Sequence, residues 1–356
     1  MSRPRHNRIL IGPNGETYHP TLKAPASINV EEDCKKLREA MKGLGTDEAG
    51  LIDILGHRNV DQRLEIYDEY KSLFGKDLKD KLHGELSGHF RTVMKMLLME
   101  PAYINARALY KAMKGAGTKE SVIVEVLCTA TNNEIEAIKQ AYLRVLTDEG
   151  EKDASRTLET DIEGDLSGCL KHLCIALLQA ERDELSESQL QQVLKQGVKS
   201  VVNMDLVQKD IEELYDAGTG RLGTDEATFI RILARRSVWH LYMVNKRYEE
   251  QYGKSLTEAI ESETSGDFES ALKLTLFTCL SRPQAYAALL YDSMAGAGTR
   301  DETLIRIIVT RCEVDLADIC KAFEALTEKT LEHWVRGDTS GDYQKILLTL
   351  MGVSDQ

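Results

Sequence analysis

The sequence predicts an all-α protein built from four copies of one unit, each of about five short helices. Three observations predict it. A short glycine motif occurs four times: Met41-Lys42-Gly43-Leu44-Gly45-Thr46-Asp47-Glu48, Met113-Lys114-Gly115-Ala116-Gly117-Thr118-Lys119-Glu120, Gly220-Arg221-Leu222-Gly223-Thr224-Asp225-Glu226 and Met294-Ala295-Gly296-Ala297-Gly298-Thr299-Arg300-Asp301. Apolar residues recur at helical spacing, as in Leu51, Ile54, Leu55 or Val93, Met94, Leu97, Leu98, and strand-like alternation is absent. Only 6 prolines interrupt 356 residues, so helical patterns are rarely broken.

The last loop glycines are 72 residues apart in the first two copies and 75 apart in the last two. Repetition at such a period means one structural unit used several times. The middle gap is 106, so extra chain lies there. The order is a head over 1–29, repeat I over 30–101 and repeat II over 102–180. A connector over 181–204, repeat III over 205–282 and repeat IV over 283–354 follow. The head, rich in Arg, His, Pro and Gly, reads as irregular or loosely docked. Repeat II carries a polar insertion near 147–155, typical of an enlarged surface loop. The connector has helical composition, with Leu185, Leu190, Val193, Leu194 and Val198 on one stripe. Thr46, Thr118, Thr224 and Thr299 stand where a helix begins, so each is expected to cap it, and Thr299 with Glu302 fits a capping box. Asp47, Glu48, Asp225 and Glu226 then fall in first turns, where the helix dipole favours them.

The net charge of −13 argues against nucleic acid and against unaided binding to anionic lipid. No run of 18 apolar residues exists to span a bilayer. The first 18 residues have no apolar core of signal-peptide length, and Ser2 argues against myristoylation. The 7 scattered cysteines read as buried free thiols of a reducing compartment.

A second motif follows each glycine loop: Gly84-Glu85-Leu86-Ser87-Gly88, Gly164-Asp165-Leu166-Ser167-Gly168, Glu263-Thr264-Ser265-Gly266 and Gly337-Asp338-Thr339-Ser340-Gly341. In three repeats its acid lies 40 positions after the last loop glycine; in repeat II the gap is 48. A fixed gap between a carbonyl-rich loop and one carboxylate is a two-part metal site. Calcium takes roughly six to eight oxygens and accepts backbone carbonyls readily. Glycines let the chain curl so that the carbonyls of Met41, Gly43 and Gly45 point one way, and bidentate Glu85 adds two oxygens. That makes about five, so water or an outside oxygen such as a lipid phosphate completes the shell. Calcium also bridges an acidic protein to an anionic surface. One such loop alone reads as a plain helix–helix turn; four copies, each with a downstream acid, do not. EF-hand and Walker loops are absent.

These motifs, covering residues 30–354, resemble those of the annexin family. The resemblance implies four annexin-type repeats in a curved disk, with calcium on the convex face. It also implies calcium-dependent binding to phosphatidylserine-type membranes without enzymatic activity. The connector and the insertion are similar to those of some invertebrate annexins, including those of parasitic flatworms. Carried over residue by residue, site I is Met41, Gly43, Gly45 and Glu85, and site II is Met113, Gly115, Gly117 and Asp165. Site III, with a loop one residue longer, is Gly218, Arg221, Gly223 and Glu263; site IV is Met294, Gly296, Gly298 and Asp338. Leu44, Ala116, Leu222 and Ala297 sit at the loop tips as membrane contacts. The expected protein is a cytoplasmic, peripheral membrane organiser, with export by an unconventional route left open. Its head and connector are the places for a protein partner.

The competing readings are a calcium-regulated channel and a membrane-aggregating or adhesion protein. Repeat II reads Leu127-Cys128-Thr129-Ala130-Thr131 and lacks the arginine supplied by Arg58, Arg235 or Arg236, and Arg311 elsewhere, which weakens the channel reading. Arg336-Gly337-Asp338 spells an adhesion tripeptide, but its aspartate fits the metal site better. No nucleophile–base–orienter set is present, and the histidines are isolated from one another in sequence.

Overall fold

The structure, a computed structural model, describes residues 11–13, 15–43, 45–218 and 223–353. Among them are 21 α-helices and one 3-10 turn; the one β-bridge joins Ile11 and Thr17. Helices come in fives. Repeat I supplies α1 (Val30–Ala40), α2 (Glu48–Leu55), α3 (Val60–Phe74), α4 (Leu78–Glu85) and α5 (Gly88–Leu97). Repeat II supplies α6 (Pro101–Met113), α7 (Glu120–Leu127), α8 (Asn132–Asp148), α9 (Leu158–Asp165) and α10 (Gly168–Leu178). The connector holds α11 (Glu187–Gln196) and the 3-10 turn Val198–Ser200. Repeat III follows as α12 (Met204–Ala217), α13 (Glu226–Arg235), α14 (Val238–Tyr252), α15 (Leu256–Glu263) and α16 (Gly266–Leu280). Repeat IV is α17 (Arg282–Met294), α18 (Asp301–Arg311), α19 (Leu316–Thr327), α20 (Leu331–Asp338) and α21 (Gly341–Leu350).

Local chemistry sets these bounds. Asn59 and Gln62 form a capping box at α3, as do Thr131 and Glu134 at α8 and Ser255 and Glu258 at α15. Left-handed Gly75 and Gly253 stop α3 and α14, while in repeat IV Glu328 takes that conformation at φ 59°. The apolar faces then close on one another. In repeat I, Leu37, Leu51, Leu55, Ile66, Leu78, Leu82, Val93 and Leu97 are all fully buried. Burial of a Leu or Ile side chain contributes about 1.5–3 kcal/mol, so such clusters supply most of the gross stabilisation.

The chain packs as two compact units. One holds residues 18–104 and 286–353, hence repeats I and IV. There Arg63 pairs with Glu313 at 2.5 Å, and the Val60 amide donates to the same carboxylate at 3.1 Å. Residues 21 and 22 of the head are docked in this unit, not loose. The Thr21 and Leu22 amides both donate to the Cys312 carbonyl at 3.0 Å, and Thr21 Oγ1 donates to Leu350 at 2.6 Å. The other unit holds residues 11–17 and 105–285. Its connector departs from the expected helix. Residues 181–186 are non-helical and braced: the Asp183 amide donates to Arg235 O at 2.7 Å, and the Arg182 guanidinium to Arg236 O at 2.7 Å. Val193 and Val198 are buried but Leu194 is 46% exposed, and Gly197 at φ +80° ends α11 before Val198 is reached.

A buried acid–arginine pair recurs at equivalent positions. Asp33 holds Arg58 at 2.8 and 3.0 Å, and Asp210 holds Arg236 at 2.6 and 3.0 Å. His240, one of the sequence-isolated histidines, joins Asp210 at 2.8 Å. In repeat IV the arginine is Arg311, which stacks over Tyr286 at 4.7 Å and pairs with Asp315 at 2.6 Å. In repeat II the two positions are Asn105 and Ala130, and Asn105 Oδ1 is buried with no hydrogen-bond partner among the described residues. Every cysteine is free, five of them buried and Cys169 and Cys320 half-buried.

Candidate functional site

Each glycine loop is closed by one backbone bond. The Asp47 amide donates to Ala40 O at 2.8 Å, Lys119 to Ala112 at 2.9 Å, Asp225 to Ala217 at 2.7 Å and Arg300 to Ser293 at 2.7 Å. The bond spans 7 residues in repeats I, II and IV and 8 in repeat III, so the third loop carries one residue more. The Met41, Met113 and Met294 side chains are buried beneath their loops. Above them Gly43 and Gly45 lie at φ +100° and +93°, and Gly115 and Gly117 at +105° and +89°. L-residues are disfavoured there, and a Cβ at any of the four would meet nothing within 4 Å. The requirement is therefore conformational, and the loop face stays open. Among the described residues of loops III and IV the left-handed ones are Gly223 and Gly298, whereas Gly296 lies outside that region.

The acids are delivered by helix ends. Glu85, Asp165, Glu263 and Asp338 are the final residues of α4, α9, α15 and α20. In three repeats the loop threonine holds the acid. Thr118 Oγ1 donates to Asp165 at 3.1 Å, Thr224 Oγ1 to the Glu263 carboxylate at 3.2 Å, and Thr299 Oγ1 to Asp338 at 2.9 Å. Repeat I differs: among the described residues no such bond joins Thr46 to Glu85, whose Oε1 lies 3.0 Å from Lys81 Nζ. At Gly218 a Cβ would stand 2.9 Å from Glu263 Cγ, which explains glycine where the other repeats have methionine. Ala116 and Ala297 are exposed; Leu44, Arg221 and Leu222 lie outside the described residues.

The threonines are therefore not caps. The N-caps fall one residue later, at Asp47, Lys119, Asp225 and Arg300, and only Asp47 accepts a capping bond, from Gly50. The capping box expected of Thr299 and Glu302 does not form, because Thr299 is turned toward Asp338. Asp47 and Asp225 precede the first turns that Glu48 and Glu226 occupy. Nothing local in the sequence separates a capping threonine from one that reaches an acid 39 to 47 residues away.

The repeat II insertion is shared between helix and joint. α8 has 17 residues against 15 in α3, and the joint to α9 spans 149–157 where repeat I has 75–77. The longer joint folds back toward the loop. Glu149 pairs with Lys114 at 3.2 Å, and the Tyr110 hydroxyl donates to Glu151 at 2.7 Å. Arg156 holds Glu151 at 2.9 Å and Asp161 at 2.8 Å.

Among the described residues no three His, Cys, Asp or Glu side chains come together as a metal cluster. The donors on offer are loop carbonyls and one carboxylate. An all-oxygen, weakly charged and incomplete set of this kind suits calcium rather than a thiophilic metal.

The annexin family model matches residues 32–97, 104–177, 209–274 and 285–350. A Schistosoma japonicum annexin A13 is 57% identical over 96% of this chain and 97% of its own length. Human annexin A13 is 46% identical over 94% of this chain and 98% of its own. A crystal structure of calcium-bound annexin (Sm)1 superposes with a TM-score of 0.86 at 40% identity, covering 96% of this chain and 95% of that one. With four matched repeats and near-complete coverage at these identities, the chain belongs to the annexin family.

Proposed function

We propose that this annexin binds anionic phospholipid membranes in a calcium-dependent way through its glycine loops, acting as a peripheral scaffold or organiser. The supporting observation is the set of loops closed by one equivalent backbone bond, each with a single carboxylate at the end of a following helix. Calcium is the metal. The carbonyls of Met41, Gly43 and Gly45 with Glu85 form site I; Met113, Gly115, Gly117 and Asp165 form site II. Gly218, Arg221, Gly223 and Glu263 form site III; Met294, Gly296, Gly298 and Asp338 form site IV. A lipid phosphate oxygen completes each shell, so calcium and lipid each raise the other's affinity. Several weak sites on one chain give strong attachment through multivalency. The cytoplasm is the compartment that suits its seven free thiols.

No enzymatic role is proposed. Cys169 and His172 share an open groove of about 580 Å³ with Glu226 and Arg231. Burial and Glu226 push the Cys169 thiol up, opposite to what a nucleophile needs.

Co-sedimentation with phosphatidylserine vesicles tests the reading. The protein is expected to pellet with calcium and to return to the supernatant with chelator. Equal pelleting in both conditions would remove the proposal.

A further inference from the structure

Repeat I departs from the others at its acid, and the departure comes from side chains the others lack. Lys81, one helical turn before Glu85 on α4, lies 3.0 Å from it, with the two side chains only 32% and 27% exposed. The equivalent residues four positions before Asp165, Glu263 and Asp338 are Asp161, Ala259 and Trp334. A second cation is particular to this site. Arg38 stands three residues before Met41, where the other repeats have Tyr110, Tyr215 and Tyr291. It lies over the Phe74 ring at 4.5 Å. Burial pushes the hydroxyl of neighbouring Tyr70 up, with Arg38 opposing and Glu85 adding.

We infer that Lys81 is an internal counter-ion of the first calcium site, occupying Glu85 until calcium displaces it; this rests on the site reading above. The carboxylate is the only charged ligand of the site. With an ammonium on it, an incoming divalent cation meets a neutralised oxygen and must break an existing ion pair. The lysine stem is flexible and one helical turn long in reach, so it can swing into solvent. The result is competition rather than exclusion. Site I fills at higher calcium than it would with a neutral residue at position 81. The Lys81 amine becomes free when the site fills.

The test uses the full chain carrying D165N, E263Q and D338N, which leaves site I, and compares residue 81 variants by calorimetry. K81M is expected to lower the calcium midpoint about two- to fivefold, the range an ion pair of this exposure supports. K81R, which keeps the charge, is expected to leave it near the parent value. A second readout needs no comparison of affinities. In the unsubstituted chain, acetylation of Lys81 by acetic anhydride, followed by peptide mass spectrometry, is expected to speed up when calcium is added. In E85Q it is expected to be fast with or without calcium. Loss of site I binding in E85Q with an unchanged midpoint in K81M overturns the inference and leaves the site reading standing. Lys81 acetylation indifferent to calcium overturns it as well. Site I binding that survives E85Q removes both.

Discussion

Repeats I and II carry the same loop and the same closing bond, yet hold their acids differently. Both loops have two left-handed glycines, a buried methionine beneath and an acid at the end of the fourth helix. In repeat I the acid is taken by Lys81 from its own helix; in repeat II it is taken by Thr118 from the loop. Below the loops, repeat I has the Asp33–Arg58 pair where repeat II has Asn105 and Ala130. Beside them, repeat I has a three-residue joint where repeat II has a nine-residue one anchored on Lys114 and Tyr110. The backbone scaffold of the site is thus held constant, and the side chains around it are where one repeat becomes different from another.

The largest effect expected would break the comparison altogether. Replacing all four acids, as E85Q, D165N, E263Q and D338N together, is expected to abolish calcium-dependent vesicle binding while leaving helical circular dichroism unchanged. Each change removes the charged ligand from an open loop, and none touches the apolar core. Persistent calcium-dependent pelleting by the quadruple variant would show that the carboxylates are not the ligands.

A smaller effect, on stability, separates repeats that keep the buried acid–arginine pair from repeat II. Burial alone would raise the Asp210 carboxyl, but the bonds from His240 and Arg236 outweigh it and hold it down at about 2. A carboxyl lowered in the folded state stabilises the fold above its unfolded value near 3.9, and that contribution is lost as pH falls from about 4 toward 2. R236A, which leaves the buried Asp210 with His240 alone, is expected to cost about 3–5 kcal/mol at neutral pH. D210N is expected to flatten the loss of stability between about pH 4 and 2. Denaturant titrations at pH 7 and pH 3 check both, and an R236A chain as stable as its parent at pH 7 would contradict the account.

The threonines sharpen the comparison directly. T118V removes the hydroxyl that steadies Asp165 and is expected to raise the site II calcium midpoint about three- to fivefold, in keeping with a partly exposed bond to a charged acceptor. T46V is expected to leave site I unmoved. Calorimetry on chains retaining one site each decides it, and equal effects in the two repeats would show that the difference in partners has no consequence.

The smallest effect belongs to the insertion. Its contact with Lys114 is a surface ion pair, worth roughly 0–1 kcal/mol, whereas the Tyr110–Glu151 bond is part-buried. E149Q is therefore expected to move the site II midpoint by less than about threefold. A larger shift, or loss of site II, would mean that the joint presents the loop rather than resting against it.

The sequence by itself determined the all-α class, the four repeats, the loop glycines and the acids. These rest on local rules: helical periodicity, the conformational freedom of glycine and a spacing that survives in the chain as a count of residues. The loop III surplus was legible as one extra residue and is matched by the longer span of the Asp225–Ala217 bond. What the sequence left open or misread was the choice of partner. Thr118, Thr224 and Thr299 have the right chemistry to cap a helix, and only the packed chain shows an acid nearer than the helix end. Leu194 continues an apolar stripe on paper and faces solvent in the fold. Lys81 was not singled out in the sequence, and the weight of its pair with Glu85 comes from the fold, where among the described residues Thr46 makes no bond to that acid. His240 is far from Asp210 in the chain and bonded to it in the fold. Hydrogen bonds and ion pairs act over a few ångströms, so which one forms is decided by distances that only the tertiary structure sets.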